Sequence, residues 1–102
     1  MLELTRIQRE IARRRILQIL QAGQPVGVNL AVIELALSDA KLKLDTTQLR
    51  VELDYLEEKG LLKIERGRYF GENEIAARLT PAGVDVVEGA VDCPAGIARG
   101  DG

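Results

Sequence analysis

The stretch DTTQLRVELDYLEEKGLLKI, residues 45–64, decides how this chain folds. Asp45 with Gln48 three residues later has the spacing of a capping box, in which a carboxylate accepts from the free N–H groups of a first helical turn. Leu49, Leu53 and Leu56 then recur at helical spacing as far as Lys59, which predicts a helix of about four turns with one buried stripe. Gly60 supplies the positive φ that commonly ends a helix. Leu61–Leu62–Lys63–Ile64–Glu65–Arg66 changes to strand-like composition, and Arg66–Gly67–Arg68 begins a turn. A helix that runs directly into a hairpin sets the class as α+β.

Downstream, two return strands are open. Arg68–Tyr69–Phe70 is one; Ile75–Ala76–Ala77–Arg78–Leu79 is preferred because Ile75, Ala77 and Leu79 alternate and lead straight into Thr80–Pro81. Thr80 as N-cap with Pro81 at the first helical position predicts a last helix, with Val84 and Val87 inward and an end near Gly89. Residues 91–102 contain glycines, a proline and little apolar content, so they are expected to form a flexible tail to a domain spanning 1–90.

Upstream, a long first helix is expected from roughly Leu2 to Ala22, stopped by Gly23 and Pro25. Its apolar residues fall on two sides: Ala12, Ile16, Ile19 and Leu20 on one, Leu4, Ile7 and Ile11 on another rotated by roughly 140°. One core covers the first set. The second needs the tail, the last helix or a subunit contact, and a helix-to-helix homodimer through Leu4, Ile7 and Ile11 is the preferred reading. Val26–Gly27–Val28 allows a minor strand, and Asn29 can cap a second helix reaching about Leu37. Ser38 to Leu44 reads as a turn that folds Leu42 and Leu44 onto the core.

Composition narrows the chemistry. The chain has 102 residues, the size of one domain, which argues against an enzyme cleft between two halves. Apolar residues at 46% and charged residues at 29% are the balance of a globular protein. No apolar run reaches the ~20 residues of a membrane span, and no signal-peptide pattern is expected. Histidine is absent and Cys93 is the only cysteine, so zinc sites, His-based acid–base catalysis and disulfides lack their parts. Cys93 stands in a polar segment without a basic neighbour to activate it. No catalytic residue, metal or cofactor is expected, and a reducing cytoplasm suits the single thiol. The net charge of −2 is uneven: residues 1–22 hold five arginines against two glutamates, whereas 81–102 hold one arginine against four acids.

The order helix, short strand, helix, turn, helix, hairpin, helix resembles a winged helix-turn-helix. Tyr55–Leu56–Glu57–Glu58–Lys59–Gly60–Leu61–Leu62 is similar to the recognition-helix exit of many bacterial winged-helix repressors, and Leu79–Thr80–Pro81–Ala82–Gly83 to their strand-to-helix junction. The likeness covers roughly Ile11 to Gly89. A nearer one is to small winged-helix proteins of Mu-like prophages, carried by Ala77–Arg78–Leu79–Thr80–Pro81–Ala82–Gly83–Val84–Asp85–Val86, by Gly89, and by Cys93–Pro94–Ala95–Gly96. That resemblance implies a phage-associated regulator in a bacterial host cytoplasm, and it transfers fold more securely than activity.

Double-stranded DNA is the partner this reading implies. Thr46, Thr47, Gln48 and Arg50, with Val51 and Asp54, would face out from the third helix (about 46–59) into the major groove, where Arg suits guanine and Gln suits adenine. Lys63, Arg66 and Arg68 on the wing (about 61–80) would hold the backbone, with Arg78 near them and Tyr69 and Phe70 packed beneath. Against this, Glu52, Asp54, Glu57 and Glu58 oppose Arg50 and Lys59 on the third helix, a balance that repels phosphate. The alternative is a protein–protein adaptor or phage assembly factor on the same scaffold, bound to another phage protein. Arg6, Arg9 and Arg13 share one face of the first helix, as an accessory phosphate contact or a solvated side.

Overall fold

The computed structural model describes residues 4–67 and 71–99, so the alternative strand Arg68–Tyr69–Phe70, the wing residue Arg68 and the chain before Leu4 lie outside the described residues. The described elements are α1 (Arg6–Ala22), β1 (Val28–Asn29), α2 (Leu30–Asp39), α3 (Thr46–Glu58), β2 (Leu62–Gly67), β3 (Gly71–Leu79) and α4 (Pro81–Val87). Four helices pack on a small antiparallel sheet of order β1–β3–β2, with Val28 opposite Ala77 and Ile64 also opposite Ala77 from the other side. The chain is α+β.

Local chemistry explains the boundaries. Asp45 and Gln48 form the full capping box at the start of α3: the carboxylate accepts from the Gln48 N–H at 2.7 Å, and the Gln48 side-chain oxygen accepts from the Asp45 N–H at 3.0 Å. The same reciprocal pair, Thr5 with Gln8, starts α1 at Arg6 rather than at Leu2, because Thr5 is extended and its hydroxyl takes up the Gln8 N–H. Asn29 caps α2, which runs two residues past Leu37 to Asp39. At Gly60 φ is +78°, and the chain reverses into β2. The Thr80 hydroxyl accepts from the Gly83 N–H and donates to the Gly60 carbonyl, tying the start of α4 to the end of α3.

The core is formed by Ile16, Leu17 and Leu20 of α1, Ile33 and Leu37 of α2, Leu49, Leu53 and Leu56 of α3, and Leu62 and Ala77 of the sheet. Leu42 and Leu44 fold down against it as the sequence suggests. Three readings need correction or an addition. The preferred return strand Ile75–Leu79 is the end of a longer one that starts at Gly71. On α4, Val84 and Val87 pack half-buried against the core as expected, and Val86, left out of that reading, is the more deeply buried. The segment expected to form a free tail lies against the body over 93–98. Ile97 is 5% exposed within the core cluster, and the Ala98 N–H donates to the Glu10 carbonyl at 3.1 Å.

Candidate functional site

Side chains of α3 divide by a face that the acid count alone hides. Leu49, Glu52, Leu53 and Leu56 point inward. Glu52 is 2% exposed, and its carboxylate accepts from the Arg13 Nε at 2.6 Å. Arg13 is itself 12% exposed; it lies over the Tyr55 ring at 3.7 Å from the centroid and donates through a second nitrogen to the Gly96 carbonyl at 2.9 Å. Buried charge survives only when paired and hydrogen-bonded, and here two guanidinium nitrogens are bonded and the face is stacked. The expectation of Glu52 as an outward, phosphate-repelling acid is thus corrected, as is that of Arg13 as a solvated member of the Arg6–Arg9–Arg13 face. Both bind α1, α3 and segment 93–98 together.

The remaining acids of α3 are partly committed as well. Glu57 accepts from the Ile64 N–H at 2.7 Å, so its carboxylate covers an edge donor of β2. Asp54 stands 3.9 Å from the Arg50 guanidinium. Among the described residues, Glu57 and Glu58 on the helix and Asp45 at its cap are exposed without an ion-pair partner. The outward ridge of α3 is Thr47, Val51, Asp54 and Glu58, and its first half is uncharged.

The residues expected to meet DNA are placed as follows. Thr47 is exposed. Thr46 is exposed but donates its hydroxyl to Glu34 of α2 at 2.8 Å. Gln48 uses its side-chain oxygen in the cap, which limits its freedom to read a base. Arg50 is half-buried, with Nε shielded from solvent and no hydrogen-bond partner there, and with one end near Asp54. Lys63 and Arg66 stand exposed on β2, whereas Arg78 of β3 pairs with Glu65 at 2.8 Å. The Glu57–Ile64 bond and the Gly60 turn make α3 and the hairpin one unit.

Leu4 is half-buried, and Ile7 and Ile11 are 64% and 42% exposed on the side of α1 opposite its buried residues. Neither α4 nor segment 93–98 covers them. Among the described residues no group of three or more Cys, Asp or Glu side chains could hold a metal ion, and no helix is long and apolar enough to cross a membrane. The Cys93 thiol is half-buried and donates to the Ile97 carbonyl at 3.3 Å.

Sequence reasoning missed the Arg13–Glu52–Tyr55–Gly96 junction. A signal was present: on the helical wheel Glu52 lies about 40° beyond Leu56, at the edge of the stripe formed by Leu49, Leu53 and Leu56. No family model, curated protein or solved structure matches this chain.

Proposed function

We propose that this protein is a winged helix-turn-helix DNA-binding protein, in which the first half of α3 enters the major groove and the β2–β3 hairpin rests on the phosphate backbone. The observation that carries the reading is the withdrawal of Glu52 into a buried pair with Arg13. With Glu52 inside, the groove-facing half of α3 presents Thr47, Val51 and Arg50, with Asp45 at the cap as its exposed acid. Beside it the hairpin holds Lys63 and Arg66 in solvent. Phosphate contacts fix position and base contacts give specificity, so the basic strand and the polar helix end divide the work. The prophage resemblance points to a transcriptional regulator in a bacterial host; the fold supports the binding mode only.

A second reading has its own observation. On α2, Val32 and Leu35 are exposed large apolar side chains, and a surface of that kind suits a protein partner better than a phosphate backbone. It corresponds to an adaptor or phage assembly factor.

The test is titration of labelled prophage and host DNA fragments, including the region upstream of the protein's own gene, at low and moderate salt. Saturable binding is expected. Thr47→Ala and Arg50→Ala should narrow the gap between the best and the average fragment, since a base-edge contact discriminates by ~1–3 kcal/mol. A folded protein that binds no fragment even at low salt sinks the proposal and leaves the adaptor.

A further inference from the structure

A cleft of about 500 Å³ opens between α1, the end of α4 and the chain that follows it, within the size range of small-molecule sites. Gly89, at φ +74°, turns the chain out of α4, and the residues beyond it join α1 in lining the cleft. The chain after α4 is pinned: Ile97 sits in the core, and the Ala98 N–H donates to the Glu10 carbonyl of α1 at 3.1 Å. Four charged side chains line this space, Arg14 and Arg99 with Glu88 and Asp92. Among the described residues none of the four makes an ion pair or a side-chain hydrogen bond, and the Arg14 Nε is shielded from solvent as well. Val87 and Val91 add apolar surface, and Val91 is 50% exposed. A second hollow, between α2, the start of α3 and β3, is smaller at about 300 Å³, and Glu34 and Thr46 in its lining are bonded to each other.

We propose that this cleft binds a small zwitterion with an apolar body, a free amino acid or a dipeptide. Arg14 and Arg99 take its carboxylate, Glu88 and Asp92 take its ammonium group, and Val87 and Val91 meet its side chain. The unpaired charges carry the assignment. Guanidinium and carboxylate groups form strong charge-assisted hydrogen bonds when a partner is in reach, yet here both signs line one cleft without joining. A simple anion such as phosphate would satisfy the arginines and be repelled by Glu88 and Asp92. A simple cation would meet the reverse conflict with Arg14 and Arg99. A ligand carrying both charges neutralises both sets. Glu88, Asp92 and Arg99 are exposed, so water screens each contact and the affinity is modest, with a Kd of about 0.1–1 mM. The inference does not depend on DNA binding, and its experiment uses no DNA.

The experiment is NMR titration of the isotope-labelled full chain with L-leucine and, separately, with leucyl-leucine, each to about 20 mM. At least one should give saturable shifts centred on the amides of Arg14, Gln18, Val91 and Asp92; the tighter of the two tells a free amino acid from a peptide. Two relatives of leucine each lack one charge: 4-methylpentanoate has no ammonium and leucinamide no carboxylate. Each should bind about tenfold more weakly than leucine, or not at all. Arg14→Gln with Arg99→Gln should weaken zwitterion binding by a similar factor, and so should Glu88→Gln with Asp92→Asn. The second pair is exposed, so it guards against misfolding of the half-buried Arg14 variant, and thermal unfolding checks both. The proposal is overturned if neither leucine nor leucyl-leucine gives saturable shifts. It is equally overturned if 4-methylpentanoate or leucinamide binds as tightly as the zwitterions, or if folded charge variants bind them unchanged.

Discussion

Two regions of this protein hold arginine beside α3, and they use it oppositely. At the junction of α1, α3 and segment 93–98, Arg13 is stacked on Tyr55, paired with Glu52 and bonded to the Gly96 carbonyl. On the hairpin, Arg66 stands in solvent, and Lys63 is exposed on the same strand. The first arginine fixes how the helices sit; the second is available to a ligand. The difference shows that a charge tally along a helix says little until the buried members are removed. Of the acids on α3, Glu52 belongs to the interior with Arg13, whereas Asp54, Glu57 and Glu58 stay exposed, Glu57 bonded to the edge of the sheet.

The comparison can be broken first at the junction. Arg13→Ala leaves Glu52 buried without its partner and should cost about 3–5 kcal/mol in urea unfolding, the usual penalty for stranding one member of a buried pair. Arg13→Met with Glu52→Leu should recover most of that loss, because an apolar pair carries no desolvation penalty. If the single and double variants are equally unstable, the pair is not what holds the junction. Truncation after Ala90 is the next largest test. It removes Ile97 from the core along with the acceptor that Gly96 offers Arg13, so a loss of about 2–4 kcal/mol is expected, on the scale of a buried Ile→Ala change. Unchanged thermal stability would show that 93–98 contributes nothing to the fold. A smaller effect belongs to the α3 cap: Asp45→Ala should cost about 1 kcal/mol, and Asp45→Asn should preserve most of it.

Much of the fold was legible from residues alone. The Asp45–Gln48 box, the Gly60 stop, Asn29 and the Thr80–Pro81 start each act through neighbours in sequence, so their geometry follows from local chemistry. Thr5 with Gln8 has the same spacing as Asp45 with Gln48, and recognising it would have set the start of α1 at Arg6. The junction was harder, because Arg13, Glu52 and Gly96 are brought together by tertiary packing and no local rule pairs them. Gly96 also has φ +87° beneath the Tyr55 hydroxyl, where a side chain would collide, so a glycine that read as tail punctuation is a packing requirement. At the candidate site, exposure of Thr47, Lys63 and Arg66 followed from the pattern. The engagement of Thr46 with Glu34 and of Arg50 with Asp54 did not, since both depend on where α2 and the helix surface come to lie.

The most direct test of the DNA-binding account is the salt dependence of DNA affinity for the wild type and for Lys63→Ala with Arg66→Ala. Both residues are exposed, so the variant should keep its unfolding free energy within about 0.5 kcal/mol. Each phosphate contact contributes about 0.9 to the slope of log affinity against log salt, so the slope should flatten by up to about two while the ranking of fragments stays the same. An unchanged slope with unchanged affinity would contradict the assignment of the hairpin to the DNA backbone.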